Sequence, residues 1–265
     1  MDLNIESRLA FVTGATKGIG RAVAERLLGE GAKVIVGGRS PETVEPVVEK
    51  LSAMGEAFGA PGDLSTPEGT AEVLAQVRGF GSPEILVSNA AEFWAASFFD
   101  LTDDDWYRSL ETNLMAGVRL SREFLPRMAD RKWGRVIFIS SDYGVQINPA
   151  LLHYSVAKAS LIALARGLAV AMAGTGVTVN SVISGPTWTE GAEQFILDNS
   201  PEGSDVQEIR RSFFEPGALL SDSLIGRYSE PNEIADLVAF LCSGNASSIT
   251  GAAQRVDGGT IKSAL

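Results

Sequence analysis

Leu9-Ala10-Phe11-Val12-Thr13-Gly14-Ala15-Thr16-Lys17-Gly18-Ile19-Gly20 is an apolar run of strand length that passes through a glycine-rich turn into a helical pattern. The glycines fall as Gly-x-x-x-Gly-x-Gly. They let the turn be tight and let the backbone approach a pyrophosphate, whose charge would sit at the N-terminus of the following helix. The backbone and side chains of Gly14, Thr16, Lys17, Gly18, Ile19 and Gly20 are the candidate contacts. A ligand-free β–α turn can show the same glycines. The position of this one, opening the first strand–helix–strand unit, favours the dinucleotide.

Outward from that turn, strands and helices alternate. Leu9–Thr13, Lys33–Val36, Ile85–Ser88, Arg135–Ser140 and Val177–Ile183 read as strands, nearly continuous in apolar residues as parallel strands covered on both faces are. Between them lie helical patterns over about Ile19–Glu30, Pro41–Met54, Pro67–Val77, Asp103–Met128 and Tyr154–Met172. In the long fourth helix, Leu110, Leu114, Val118, Phe124, Leu125 and Met128 form an apolar stripe. Ser40-Pro41 suits an N-cap and first turn, and Gly29 or Gly31 can end the first helix. The alternation predicts an α/β fold: one Rossmann domain over 1–265, a doubly wound parallel sheet flanked by helices. The stretch from Thr187 to Ser229 breaks the pattern, with Gly, Pro and Ser among bulky apolar residues, and reads as a substrate-binding loop or lid.

The end of the second strand bears on the cofactor. An acid about 20 residues past the glycines would take a ribose 2′-hydroxyl and favour NAD. Here the residues are Gly37-Gly38-Arg39-Ser40. Arg39 offers a planar fork for a 2′-phosphate and Lys17 a second cation, so NADP(H) is expected over NAD(H).

Composition narrows the class. A net charge of −11 and the absence of a basic face argue against nucleic acid. One cysteine, Cys242, and one histidine, His153, leave no disulfide and no Cys/His zinc site, and no EF-hand spacing occurs, so no metal is expected. The N-terminus carries acids and does not read as a signal peptide, and the most apolar run, Leu161–Ala173, is interrupted by Arg166. No membrane association and a cytoplasmic location are the expectations.

Tyr154-Ser155-Val156-Ala157-Lys158 sets a phenol and an ammonium four residues apart on one helix face. Reducing a carbonyl needs a proton donor for the developing alkoxide, and the reverse reaction needs a base. A free tyrosine, near pKa ~10, is a poor base at neutrality, and a neighbouring Lys⁺ favours its phenolate. Alone, the spacing also fits a surface pair.

With these residues the chain resembles the short-chain dehydrogenase/reductase family over essentially its whole length. The Gly-rich turn matches in place and spacing. Asp63-Leu64 resembles the acidic position at the third strand's end, which meets the adenine. Ser88-Asn89-Ala90-Ala91 is similar to the family's Asn-Asn-Ala-Gly segment, with Asn89 and Ala90 carrying over. Asn113, Ser141 (13 residues before Tyr154), Tyr154 and Lys158 match the active-site positions, and Ser248-Ile249-Thr250-Gly251 through Val256-Asp257-Gly258-Gly259 matches the C-terminal signature.

The resemblance implies that Ser141 holds the substrate oxygen beside the Tyr154 hydroxyl. Lys158 would lower the Tyr154 pKa and bond the nicotinamide ribose, and Asn113 would link Lys158 to solvent through a water. Where the family usually has Pro-Gly after the sixth strand, this chain reads Ser184-Gly185-Pro186; Gly185 aligns with the family glycine, and Thr187 and Thr189 fall at nicotinamide-side contacts. Substrate candidates near the strand ends are Phe93, Trp94, Asp142, Ile147, Leu151, Leu152, Trp188 and part of Phe195–Ile225. They suggest a compact hydrophobic ketone or alcohol, with Asp142 disfavouring anions and able to hold a hydroxyl or an amine. His153 is expected in a structural or exposed role.

Three rivals are open. A 3-oxoacyl-[acyl-carrier-protein] reductase would dock an acidic carrier on basic residues, one of which corresponds to Thr175 here. A dinucleotide-sensing protein without turnover would not need the Asn113, Ser141, Tyr154 and Lys158 set. A nucleotide-sugar epimerase or dehydratase needs a larger C-terminal domain. The Ala- and Gly-rich helix Tyr154–Met172 permits close helix approach, and the resemblance implies a homotetramer or homodimer.

Overall fold

A computed structural model describes residues 2–264. Seven strands form one sheet: β1 Leu9–Val12, β2 Lys33–Gly38, β3 Ala57–Pro61, β4 Ile85–Ser88, β5 Gly134–Ser141, β6 Val177–Ser184 and β7 Ala253–Val256. Their order is β3-β2-β1-β4-β5-β6-β7, and every pairing is parallel. The chain reverses direction across the sheet between β1 and β4, and the crevice beyond the carboxyl ends of such a pair is where open α/β sheets bind ligands.

Among the described residues are nine α-helices: α1 Gly18–Gly29, α2 Pro41–Leu51, α3 Pro67–Phe80, α4 Asp103–Leu110, α5 Ala116–Asp130, α6 Leu152–Ala171, α7 Glu190–Asp198, α8 Val206–Ser212 and α9 Pro231–Cys242. Alternation along β1 shows how two cores arise. Ala10 and Val12 face the core under α1, α2 and α9, while Leu9 and Phe11 face the one under α3, α5 and α6. Both faces are buried, so a strand here has no polar side to show, and β1 is apolar throughout.

Three features depart from the sequence reading. The long helix expected over Asp103–Met128 is interrupted by one π-helical turn, Glu111–Met115, which carries Asn113. Such a turn adds a residue to the helix and is common at functional sites. The 187–229 stretch is not a plain loop, since it contains α7 and α8, and its two ends are pinned together. Thr187 and Ser229 form a parallel bridge, Trp188 N–H donates to Ser229 O at 2.9 Å, and Ser229 N–H donates to Pro186 O at 2.9 Å. Third, Pro149–Ala171, with a mean hydropathy of 1.3, has the length and composition of a membrane span, although it carries Lys158 and Arg166. It packs against β5 and β6.

Candidate active site

The Gly-rich turn is shaped by two separate demands. Gly14 and Gly18 adopt φ of +61° and +56°, a region costly for side-chain-bearing residues. At Gly20 the demand is space: a Cβ would lie 2.4 Å from both Asn89 Nδ2 and Gly14 O. Asn89 explains that crowding. Its amide donates to Thr13 O at 3.1 Å and Gly14 O at 3.2 Å, while the backbone N–H groups of Asn89 and Ala90 both donate to Thr13 Oγ1 at 2.9 Å. The β4 end is thereby stitched to the β1 turn.

The exposed cations at this end are uncommitted. Among the described residues, Lys17 and Arg39 have no ion-pair or hydrogen-bond partner for their side chains. Ser40 occupies the N-cap position of α2 without a side-chain cap bond, ahead of Pro41. Asp63 accepts from Ser65 N–H at 2.9 Å, while Leu64 is buried in the core. The turn is also approached from α7: Gly18 N–H donates to Glu190 Oε2 at 3.0 Å, and the Thr189 methyl lies against Gly18. Thr189 Oγ1 caps α7 by accepting from Ala192 N–H at 3.1 Å. Thr187 Oγ1 donates to Gly185 O at 3.0 Å, and Gly185 is pressed so closely on Asp257 that a Cβ would meet its backbone at 2.5 Å.

Beyond β5 the sequence-predicted residues converge. Tyr154 and Lys158 share one face of α6, and the Tyr154 phenol lies near enough to the Ser141 hydroxyl to feel it. The Lys158 ammonium lies 5.4 Å from the Tyr154 ring centroid and donates to Ile139 O at 2.8 Å. Burial pulls Lys158 down to about 8, because a cation out of water loses hydration. Burial pushes Tyr154 up, with the neighbouring Ser141 hydroxyl working against it and the Asp142 and Tyr143 charges adding to it. The lowering expected from Lys158 is therefore not seen in the protein alone, where the shift is upward and Lys158 is not among its causes. Asp142, buried beside Ser141, is raised to about 6, first by burial, with the Asp257 charge adding to it.

Asn113 is buried in the π turn. Its amide donates to Glu92 O and Ser109 O, both at 2.9 Å, and its Oδ1 accepts from Glu92 N–H at 3.2 Å. The side chain therefore anchors the segment after β4. That segment places Phe93 5.5 Å from the Tyr154 ring and 5.3 Å from Phe195 of α7. Trp94 packs on His153 instead, with ring centroids 4.1 Å apart and planes tilted by 36°, and the Arg108 guanidinium lies 4.8 Å from the Trp94 ring centroid. Trp188 packs on Tyr228 at 5.2 Å and under Arg210 at 4.3 Å. Leu151 is buried, whereas Ile147 is half exposed.

A family model described as short chain dehydrogenase matches residues 8–199. The chain is a short-chain dehydrogenase/reductase. It is 43% identical to YvrD, an uncharacterized oxidoreductase of Bacillus subtilis, over 99% of this chain and 100% of that protein. It is 35% identical to the 3-oxoacyl-[acyl-carrier-protein] reductase FabG of Escherichia coli, over 97% and 98%. Among solved structures, L-sorbose reductase from Gluconobacter frateurii, complexed with NADPH and L-sorbose, superposes with a TM-score of 0.91 at 30% identity, covering 99% of this chain and 100% of that one. This short-chain dehydrogenase/reductase is thus an enzyme acting on CH–OH or carbonyl groups of small molecules with a nicotinamide dinucleotide. The Rossmann sheet expected from the sequence is the observed fold.

Sequence reasoning missed Glu190, Tyr228 and the burial of His153. Glu190 had a local signal, since Thr189-Glu190 reads as a helix start with an acid in its first turn. Among the described residues, neither ring nitrogen of His153 has a hydrogen-bond partner, and no sequence pattern marks that.

Proposed function

We propose that this enzyme interconverts a ketone or aldehyde and an alcohol with NADP(H), using Tyr154 as the general acid/base. The observation that carries the reading is the convergence of Ser141 and Tyr154, with buried Lys158 one helical turn on, at the sheet edge bearing the Gly-rich turn. When bound, the dinucleotide supplies or accepts the hydride. The turn fits such a group: Gly14 and Gly18 sit in the left-handed region, and nearby Lys17 and Arg39 are free to meet phosphate. Arg39 and Lys17 favour the 2′-phosphate of NADP(H), and the NADPH in the L-sorbose reductase complex supports that preference.

In the reductive direction the Tyr154 Oη–H gives its proton to the substrate oxygen as charge develops there. Ser141 fixes the position of that oxygen, so the reacting atoms meet in one geometry. Lys158 supports the phenolate left behind through its nearby positive charge. The Asn113 side chain sets the Glu92–Phe93 segment beside Tyr154.

Phe93 and Phe195 wall the space over Tyr154, and the 187–229 excursion, with Trp188 and Tyr228, forms the cover. Asp142 has no cationic partner among the described residues. The substrate that suits these walls is a neutral carbonyl compound with an apolar face and a hydroxyl, or a cationic amine, directed at Asp142. The likeness to L-sorbose reductase supports a hydroxylated ketone. Carrier-protein docking is disfavoured because Thr175 uses its hydroxyl on Met172 O at 2.6 Å and offers no charge. Exposed Tyr107, Val156 and Val170 on α4 and α6 support a dimer or tetramer built on these helices, and a cytoplasmic location belongs to the same proposal.

A panel of hydroxylated and simple ketones, an acetoacetyl thioester and the matching alcohols, assayed with NADPH and NADH, tests the reading. NADPH-dependent turnover of neutral ketones is expected, with Tyr154→Phe reducing kcat by about 10²–10⁴ while still binding NADPH. A Tyr154→Phe enzyme as fast as its parent would sink the mechanism.

A further inference from the structure

The turn Ser141-Asp142-Tyr143 carries a hydrogen-bond pattern that the mechanism above leaves unused. Ser141 Oγ donates to Asp142 Oδ1 at 2.9 Å. Tyr143 N–H donates to Ser141 Oγ at 3.2 Å and to the same carboxylate oxygen at 3.0 Å. A hydroxyl has one proton, and an ionised carboxylate has none to give. With its proton spent on Asp142, Ser141 has none left for Tyr154 or for a substrate. A carbonyl oxygen is also only an acceptor. Ser141 cannot hold it until the Ser141 proton turns away from Asp142.

We propose that Asp142 is a positioning residue that sets the Ser141 hydroxyl rotor, its carboxylate competing with the substrate carbonyl for the single Ser141 proton. The inference rests on reading Ser141 and Tyr154 as the pair that meets the substrate oxygen, and it adds a regulator of that pair. The competition is strong because Asp142 is only 4% exposed and, among the described residues, no Lys or Arg neutralises it. A desolvated carboxylate is a far better acceptor than a neutral carbonyl.

The groups packed around Asp142 reinforce this. Asp257 beyond β7 adds like charge, and Tyr143 lies on the same turn. From α6 come Tyr154, which is neutral at pH 7, and Lys158, whose ammonium is committed to Ile139 O. Burial foremost, and Asp257 with it, raise the Asp142 carboxyl to about 6 despite the two hydrogen bonds it accepts. Protonation below that pH turns Asp142 into a weak acceptor and releases the Ser141 proton to the substrate.

Two measurements on wild type, Asp142→Asn and Asp142→Ala test this. The first is kcat/KM for ketone reduction between pH 5 and 9. The second is an ultraviolet difference titration of the substrate-free protein, with Tyr154→Phe assigning the Tyr154 signal. In wild type, kcat/KM should fall about tenfold above pH ~6, mainly through KM, and both Asp142 variants should lack that fall. Tyr154 should ionise at lower pH in both variants, because a neighbouring negative charge is gone and Ser141 can donate to the phenolate. Parallel kcat/KM profiles in wild type and variants, or an unmoved Tyr154 titration, overturn the proposal. If wild type turns over no ketone or alcohol with either dinucleotide, the functional reading fails, and the Tyr154 titration alone still decides the role of Asp142.

Discussion

At the end of β1 the geometry is set by backbone, whereas at the end of β5 it is set by buried side chains. The Gly-rich turn holds its shape through positive φ at Gly14 and Gly18 and the close fit of Gly20 against Asn89, and its cations, Lys17 and Arg39, lie exposed and unpaired. The Ser141–Lys158 centre places a carboxyl, a phenol and an ammonium within one buried cluster and shifts all three away from their ordinary ionisation. The first region costs the fold little beyond its glycines. The second keeps charges where burial opposes them, so its stability and its chemistry should conflict.

Replacing Lys158 is the sharpest way to expose that conflict. Lys158→Met is expected to reduce turnover by about 10²-fold or more, since the Tyr154 phenolate loses its cation. The same change should raise thermal stability at pH 7. The native Lys158 titrates at about 8 against ~10.4 unfolded, so between those values the unfolded chain holds the extra proton. Wild-type stability should therefore climb by about 2 kcal/mol as pH rises from 8 to 10 and fall back as pH drops through 8. The variant should lack that climb, and denaturant melts at pH 7 and 10 read both effects. A variant less stable than wild type at pH 7 would show that the Ile139 O bond outweighs the burial of the charge.

The contrast between the regions also decides what could be read in advance. β1 and β4 are almost wholly apolar and β2 and β5 have apolar centres, which marks parallel strands buried on both faces, whereas β6 is buried throughout although Thr178, Asn180, Ser181 and Ser184 interrupt its apolar residues. β3 was legible only through the family resemblance, because Ala57–Pro61 contains a glycine and a proline. β7 is a partly exposed edge strand with Gln254 and Arg255, which hides the pattern. α9 was missed because Ile234–Leu241 is apolar nearly all round; it packs on α1 and buries most of its surface. The π turn at Asn113 adds a residue and rotates the helix, so of the expected stripe Phe124, Leu125 and Met128 are buried, whereas Leu110, Leu114 and Val118 are only partly so and Ser109, Asn113, Gly117 and Leu120 take the buried positions. In the site, the glycines and the Tyr154–Lys158 spacing are local and could be read. The contacts Ser141–Asp142, Asn113–Glu92 and Gly18–Glu190 depend on where a side chain turns or on distant segments meeting.

A smaller effect is expected at the backbone-built end. Arg39→Ala should weaken NADPH binding by about 10- to 100-fold and leave NADH binding within about twofold, because only the 2′-phosphate loses a charge-assisted partner. Titration of each dinucleotide by fluorescence measures the ratio directly. Equal losses for both would place Arg39 against the shared part of the molecule and remove the case for NADP(H) preference.

The smallest effect concerns the contact of α7 with the Gly-rich turn. Glu190 Oε2 accepts from Gly18 N–H, the kind of donor at the α1 N-terminus that suits a pyrophosphate. Two anions cannot share that donor without repulsion, so dinucleotide binding has to turn the Glu190 side chain outward. Glu190 is exposed, and solvent screens its charge, which keeps the penalty modest. Glu190→Gln should therefore tighten NADPH and NADH alike by about two- to fivefold, and Glu190→Ala at least as much. Adenosine 2′-monophosphate, which has no pyrophosphate, should bind all three proteins equally. Weaker NADPH binding in Glu190→Gln would mean instead that the carboxylate holds α7 over the turn in the bound state, so that the strap from α7 closes on the cofactor rather than standing in its place.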